Sequence, residues 1–402
     1  MPGFLSPDEA RSVSLDLGDK AVILEKNGKT QEVIRNLSGA AIIGKHIYLA
    51  NDEGRELLQL ERTQPRLYDK VRAIKLAALF DIADETTKRK EFDLEALALD
   101  RIDEGRSRLW LIGSHAMGHT IPDGSKLKLK RLGLKRERNR LLFGCINVGE
   151  GGLDPSSGRH LRIRPVGQTH TTDFLDALRA APPPASGLLQ EVSALADLRF
   201  DKDAVGNIGW FTPYTLASTK ENGLDIEGLA IRRRDGDDTQ VIALVGLRGP
   251  VIDGLAVLIE VKIRDHHARG LKVVGAPRFH LLDLDGFGVR DLEWRGKDLL
   301  ILAGPTMTRQ KESALFRWND AWKDIKQGGK SVVEVHGIQE IGSLPMPEEH
   351  SGPEVITRIA EEEPEYMVLR DGVGRARLCN NDGTPTDLGP VYRTEVYRID
   401  DR

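Results

Sequence analysis

The feature that most constrains the fold is a short hairpin pattern that recurs along the chain. Its clearest copy begins with the stretch Asp225–Ala230 and ends, after a polar turn, with the apolar run Val241–Val245. Two short apolar strands around a polar turn indicate a β-hairpin. Because the same unit appears several times, the chain is expected to repeat it around a ring.

Five copies of the hairpin can be aligned. Their first strands place one residue each at an equivalent position, namely Ser38, Glu95, Glu227, Arg290 and Glu354. The steps between these residues are 57, 132, 63 and 64 residues. Three steps lie close to 60, which fits a four-stranded propeller blade with long loops. Further strands are predicted at Val71–Phe80, Val257–Ile263, Lys272–Leu282 and Ser313–Trp318.

The pattern predicts an all-β fold, a β-propeller of five or six blades that occupies residues 1–402 as a single domain. A propeller is favoured because radial closure protects the edges of many short sheets. The alternative fold is an irregular array of β-sandwiches. A sixth, degenerate blade would lie around Leu141–Arg164. Strands at Val13–Leu17 and Val22–Glu25 would close the ring by sharing a blade with a C-terminal strand at Arg393–Ile399.

The long step between the second and third copies contains helical periodicity. Two apolar helix faces are predicted there, one formed by Phe174, Leu175 and Leu178 and the other by Leu188, Val192 and Leu195. The proline run Pro182–Pro184 separates them, because proline cannot continue a helix. We therefore expect a short α-helical insertion over residues 171–200 that stands out from one face of the ring or caps it.

Composition narrows the functional classes. The net charge of −4 argues against a dedicated nucleic-acid binder, and the basic stretch Lys126–Arg140 has the alternation of a one-faced strand without aromatic residues for base stacking. Cys145 and Cys379 are expected to be unpaired thiols. No signal peptide and no membrane-spanning run is visible, so a cytoplasmic protein is the expectation.

Several motifs resemble the bacterial DUF3616 family, a family of unknown function. They are Asn222–Ala230, Leu247–Pro250, Gly288–Leu292, Leu300–Thr306, Leu94–Ala98 and Gly113–His115, and several of them keep their order along the chain. The resemblance extends from about Ile34 to Arg370 and carries no established activity. The repeated acidic start of the blades is also loosely similar to phytase-like and esterase-like propellers, in which such acids line a metal-bearing channel. This second likeness is an analogy between folds.

The equivalent positions suggest a site on the ring axis. The first strand of each blade lines the central channel, so Glu95, Glu227 and Glu354 would converge with Arg290 and Ser38. Oxygen ligands of this kind suit Ca²⁺ or Mg²⁺, which could polarise a phosphoester or an ester. The alternative is structural: each acid accepts backbone N–H groups at the entry to its blade.

A second set of residues follows the second strand of each hairpin and should share that face of the ring. Arg248, together with Arg290, could bind a small anionic substrate, and His115 could act as acid or base near neutral pH. Arg370 belongs to the same set. In the alternative interpretation the arginines pair with local acids and His115 satisfies a loop carbonyl.

Two functions from different classes follow from these patterns. The first is a divalent-cation-dependent hydrolase of phosphoesters or esters, with metal ligands Glu95, Glu227 and Glu354 and catalytic residues His115, Arg248 and Arg290. The second is a non-enzymatic scaffold that binds a protein partner through one face of the ring. A metal effect that disappears in Glu227→Gln would separate the two.

Overall fold

The computed structural model describes most of the chain. The described residues are 3–20, 22–26, 29–82, 91–103, 105–120, 133–135, 138–149, 151–166, 169–182, 184, 209–219, 222–234, 237–266, 270–306, 313–345, 352–360, 364–370, 378–379 and 391–399.

Five antiparallel sheets form the five blades of a ring. From the inner strand outward, blade 1 consists of Leu37–Ile43, His46–Asn51, Glu56–Gln64 and Leu67–Lys75. Blade 2 consists of Leu94–Asp103, Arg106–Gly113, Phe143–Gly149 and Gly152–Leu153, with Arg159–His160 also paired to its third strand. Blade 3 consists of Asp225–Arg234, Asp237–Ile252, Leu255–Asp265 and Arg278–Leu282, with Leu271–Val273 and Val332–Glu334 at its outer part. Blade 4 consists of Gly288–Arg295, Asp298–Gly304, Ser313–Trp318 and Ile338–Leu344, and blade 5 of Pro353–Arg358, Glu365–Arg370 and Glu395–Arg398.

The five inner strands form a closed ring, since each contacts the next and the inner strand of blade 5 contacts that of blade 1. Apolar side chains pack between neighbouring blades; Trp110 and Cys145 of blade 2, for example, share one core with Ile226 and Ile231 of blade 3. The predicted β-propeller is confirmed, and it has five blades.

The prediction of a sixth blade around Leu141–Arg164 is wrong. The strand Phe143–Gly149 pairs with the second strand of blade 2, with Cys145 opposite Trp110. It is therefore the third strand of that blade, although about 30 residues separate it from its partner. The spacing of the repeats did not predict this pairing, because a strand can pair with a neighbour from which a long connection separates it.

Further short elements accompany the blade strands. The helices are Leu76–Leu79, Asp173–Arg179, Thr212–Leu216 and Ala321–Gln327, and the short strands are Ser14–Asp16, Val22–Lys26, Lys29–Glu32, Gly118–Thr120, Gly133–Lys135, Ile163–Val166, Thr169–Thr172, Leu378–Cys379 and Val391–Arg393. None of the helices in the described ranges has the length and apolar character needed to cross a bilayer.

The predicted insertion is present in part. Its first helix is Asp173–Arg179, and Thr172 caps it by accepting a hydrogen bond from the Leu175 amide at 3.2 Å. Phe174, Leu175 and Leu178 are buried in the core shared by blades 2 and 3, so this helix packs into the ring instead of standing out from it. The second predicted face, at Leu188–Leu195, lies outside the described residues.

The two ends of the chain close the ring together. Ser14–Asp16 pairs with Val391–Arg393 at the outer edge of blade 1, whereas Glu395–Arg398 is the third strand of blade 5. Upstream, the Leu5 amide donates to the carbonyl of Ser343 in blade 4 at 2.9 Å. The N-terminal segment thus crosses blades 4, 5 and 1, and it covers strand edges that would otherwise be unpaired.

Two acids of blade 4 join its inner strand to that of blade 5. Asp291 accepts hydrogen bonds from the amides of Leu292 at 2.8 Å and Ile356 at 2.9 Å. Two residues further on, Glu293 accepts a hydrogen bond from the Arg358 amide, and burial raises the pKa of this carboxyl group to about 7. In blade 4, Asp291 and Glu293 therefore accept the backbone N–H groups that the structural alternative had assigned to the acids at the repeat position itself.

Glu293 makes the stability of the ring depend on pH. Because its pKa is about 7 in the folded protein and 4.5 in the reference state, the unfolded chain ionises first. The free energy of unfolding should therefore fall as pH rises from about 4.5 to about 7. We expect Glu293→Gln to remove roughly 1–3 kcal/mol of this decline, measured by chemical denaturation at several pH values. Glu61→Gln is the control, since Lys45 lowers the pKa of Glu61 and the pH dependence there has the opposite sign.

Candidate functional site

Each inner strand carries a β-bulge at the position that the repeat alignment singled out. The register of every inner hairpin skips one residue there: Ser38 in blade 1, Glu95 in blade 2, Glu227 in blade 3, Arg290 in blade 4 and Glu354 in blade 5. A bulge redirects the side chain of the unpaired residue away from the regular alternation of the strand. The five predicted equivalent positions are thus equivalent in the structure.

These five residues line one cavity of about 210 Å³. Since every blade contributes, the cavity lies on the axis of the ring. Its other lining residues are Asn36, Leu37, Asp52, Asp93, Ala116, Arg140, Thr219, Asp225 and Arg248. Among the lining residues that the structure describes, six carboxyl groups face three guanidinium groups, and no aromatic side chain takes part.

Arg290 lies between two of the predicted acids. Its Nη1 is 2.9 Å from Glu227 Oε2 and 2.7 Å from Glu354 Oε2, and its Nη2 donates to the Pro305 carbonyl at 3.0 Å. Burial opposes the charge of Arg290, but the two carboxylates more than offset this effect and its pKa is raised. A guanidinium group therefore joins Glu227 and Glu354 where a metal ion was expected.

Arg248 binds the second carboxylate oxygen of Glu227. It contacts Glu227 Oε1 and Asp225 Oδ2, both at 2.5 Å. A close approach of the backbone fixes its place: a Cβ on Gly288 would lie 2.2 Å from the Arg248 carbonyl oxygen, so only glycine fits there. Burial, and then the charge of Glu227, raises the pKa of Asp225 to about 6 even though Arg248 acts against it.

Asp93 forms a second ion pair at the cavity, with Arg140 Nη1 at 3.2 Å. The Ser114 hydroxyl also donates to its carboxylate. Burial nevertheless raises the pKa of Asp93. Its backbone has a φ of 51°, the left-handed region that aspartate adopts more readily than most residues, and this places Asp93 directly before the inner strand of blade 2.

Glu95 differs from the other acids. In the described part of the chain it has neither a hydrogen bond nor an ion pair, although it lines the cavity. Burial raises its pKa well above the ordinary value, and the charges of Asp93, Asp52, Glu227 and Asp225 add to this effect. Burial and the neighbouring acids therefore favour the protonated form of Glu95, and its carboxyl group faces the cavity.

Two predicted residues lie elsewhere. His115 is completely buried, with Nδ1 2.9 Å from the Gly113 carbonyl oxygen and its ring against Phe174 at 5.3 Å, and it is not part of the cavity lining. Arg370 is also completely buried, and its Nε donates to Glu395 at 2.9 Å. For both residues the structural alternative of the sequence analysis describes what is seen.

The predicted metal ligands Glu95, Glu227 and Glu354 do converge on the cavity. Their arrangement, however, does not have the geometry of a metal site. Within the described ranges no group of three His, Cys, Asp or Glu side chains could hold a metal ion. The physical reason is that Arg290 binds Glu227 and Glu354. Cation binding stays a prediction.

The alignment missed the acids two residues before the bulges. Blades 2 and 3 share the pattern Asp93-Leu94-Glu95 and Asp225-Ile226-Glu227, and blade 1 has Asn36 at the corresponding position. The repeated Asp-apolar-Glu triplet was the available signal for these lining residues.

Comparisons with known proteins identify a family. A family model described as "Protein of unknown function (DUF3616)" matches residues 36–387, and no curated protein matches the chain. Solved structures with a similar arrangement include the glutaminyl cyclase of Myxococcus xanthus, at 9% identity over 92% of this chain and 93% of that one with a TM-score of 0.32. An arabinanase of Bacillus subtilis is 11% identical over 92% and 95% with a TM-score of 0.37. Regucalcin of Agrobacterium tumefaciens is 12% identical over 90% of both chains with a TM-score of 0.32.

Proposed function

The chain belongs to the DUF3616 family, and we propose that it is a hydrolase whose active site is the central cavity, with Glu95 as the proton donor. The observation that carries this proposal is the position of Glu95, a carboxyl group without a described partner that a bulge directs into a cavity. Active sites are the places where burial and like charges shift the pKa of a carboxyl group towards neutral pH.

The proposed reaction is a hydrolysis by two carboxyl groups. Glu95 donates its proton to the leaving oxygen as the bond to that oxygen breaks. A water molecule supplies the hydroxyl group to the other fragment, and an ionised carboxylate of the cavity takes the proton of that water. Asp225 suits this role, because a pKa of about 6 leaves it mostly ionised yet basic near neutral pH.

The pH dependence of kcat/KM tests this proposal. Because the donor must be protonated and the base ionised, we expect a bell-shaped profile whose acidic limb reports a pKa of about 6. The measurement uses the full chain with 4-nitrophenyl glycosides, esters and phosphate. An acidic limb that is unchanged in Asp225→Asn would remove Asp225 from the role of base.

A second candidate, the cation-dependent hydrolase, is favoured by the charge of the cavity. The lining has three more carboxyl groups than guanidinium groups, and each arginine is already ion-paired with a lining acid. A phosphoester is an anion and would be repelled unless a cation bound with it. The anionic substrate suggested by the sequence is thus tied to a cation, whereas a neutral substrate is not.

Thermal unfolding separates these candidates. A cation that binds only the folded protein raises the melting temperature by mass action. If the cation-dependent site exists, Ca²⁺, Mg²⁺ or Mn²⁺ should raise the melting temperature of the wild type relative to EDTA, and Glu227→Gln should lose most of this rise. Glu61→Gln, on the outer part of blade 1, serves as the control. Equal melting temperatures with every cation and with EDTA would exclude the cation-dependent hydrolase.

The scaffold remains the alternative from the non-enzymatic class. It predicts a protein partner that binds equally to wild type and to Glu95→Gln, together with the absence of Glu95-dependent turnover. A pull-down with both proteins, followed by comparison of the captured partners, measures this.

A further inference from the structure

The charges around the cavity distinguish between classes of hydrolytic transition state. Ester hydrolysis develops negative charge on a carbonyl oxygen, which active sites stabilise with donors aimed at that oxygen. Glycoside hydrolysis develops positive charge on the sugar ring. A cavity with an excess of carboxylates favours the second kind of charge over the first.

The arginines do not alter this preference, because each of them is committed to acids of the cavity. Arg290 bridges Glu227 and Glu354, and Arg248 bridges Glu227 and Asp225. An oxyanion formed beside these arginines would have to compete with carboxylates that are already 2.5–2.9 Å away. The same carboxylates are good acceptors for hydroxyl groups.

The distribution of charge also indicates where a neutral ring would lie. Blades 3, 4 and 5 meet around Arg290 and are closely ion-paired. On the side of blades 1 and 2 the lining includes Asn36, Ser38 and Glu95 together with Asp52 and the Asp93–Arg140 pair. The apolar residues Leu37 and Ala116 also lie on this side. This half presents both hydrogen-bond donors and hydrogen-bond acceptors. It also contains Glu95, the proposed proton donor.

The volume of the cavity limits the size of the substrate. Its volume of about 210 Å³ is below the roughly 300–1,000 Å³ typical of pockets for drug-sized ligands. The cavity therefore suits a single small ring, with the leaving group directed towards solvent.

We infer that the substrate is a small uncharged glycoside, bound with one sugar ring in the half of the cavity formed by blades 1 and 2 and with its glycosidic oxygen against Glu95. This inference rests on the proposed hydrolase function. The glycosidic C–O bond breaks, the Glu95 proton goes to the leaving oxygen, and the hydroxyl group of water bonds to the anomeric carbon. The water proton goes to an ionised carboxylate, so that no oxidant or further reactant is needed.

Hydrolysis of matched substrates of three classes tests the inference. The full chain is assayed with 4-nitrophenyl glycosides of pentoses and hexoses in both anomeric configurations, with 4-nitrophenyl acetate and butyrate, and with 4-nitrophenyl phosphate. Wild type, Glu95→Gln and the exposed-site control Glu61→Gln are compared, and circular dichroism verifies that all three are folded.

The expected result is turnover of at least one glycoside that is lower in Glu95→Gln than in Glu61→Gln, with esters and phosphate hydrolysed no faster than in buffer. Glu95-dependent turnover of an ester or of the phosphate, without turnover of any glycoside, overturns the glycoside inference and leaves the hydrolase proposal standing. Absence of Glu95-dependent turnover in all three classes overturns both.

Discussion

Replacing Glu95 with glutamine is expected to lower kcat/KM by about 10²–10⁴-fold, the usual contribution of a general acid. The amide has nearly the shape of the carboxyl group but no acidic proton. Because Glu95 has no hydrogen bond or ion pair in the described part of the chain, the substitution breaks no described contact. It also removes a carboxyl group from an acidic cavity, so the folded state should be retained or slightly stabilised.

The dependence on the leaving group makes this prediction specific. An alcohol needs protonation as it leaves, whereas 4-nitrophenolate is a weak base and needs it less. Glu95→Gln should therefore lose more activity on a benzyl substrate than on the 4-nitrophenyl substrate with the same other half. Activity of the wild type should also fall as pH rises through the raised pKa of Glu95, and this decline should be absent in the variant. An equal loss on both leaving groups would show that Glu95 binds the substrate instead of protonating it.

The ring could be predicted from sequence because its signal is local. Each inner hairpin contains both of its strands and its turn within about 15–28 residues. The bulge at its start carries a polar residue between buried ones, as in Leu94-Glu95-Ala96. Some outer strands lack this property. Phe143–Gly149 joins blade 2 across a connection of about 30 residues, and Glu395–Arg398 joins blade 5 from the end of the chain. Such partners are decided by packing between distant segments.

Part of the composition of the site could be predicted, but the pairing between its charged residues could not. Alignment brought Glu95, Glu227, Arg290 and Glu354 to one axis, and hairpin geometry added Arg248. Which acid an arginine binds depends on distances of a few ångströms across the channel, and no spacing in the sequence encodes them. The orientation of His115 was equally inaccessible, because its left-handed backbone, with a φ of 53°, turns the side chain into the core.

Glu95 itself illustrates this limit. The sequence assigned it the same role as Glu227 and Glu354, since all three occupy the same position of the repeat. The structure separates them, because Arg290 reaches its neighbours in blades 3 and 5 and not the acid of blade 2. A single arginine thus breaks the symmetry of the ring and leaves Glu95 without an ion pair among the described residues.

Replacing Arg290 with methionine should have the largest effect on stability, because it leaves Glu227 and Glu354 buried without their shared partner. Removal of one member of a buried ion pair typically costs about 3–5 kcal/mol. The side chain of Arg290 is 12% exposed, and those of Glu227 and Glu354 are 8% and 16% exposed. The Pro305 carbonyl also loses a donor. Chemical denaturation of the full chain measures the change in the free energy of unfolding.

Combining substitutions shows whether the charge is the cause. If the loss arises from the charge of the two carboxylates that Arg290 joins, then Arg290→Met combined with Glu227→Gln and Glu354→Gln should recover most of the stability, because both of these acids are then neutral. Lys45→Met is the matched control at the exposed pair with Glu61, where solvent screens the charges and the change should be far smaller. If the triple variant is no more stable than Arg290→Met alone, the stability depends on the shape of Arg290 and not on its charge.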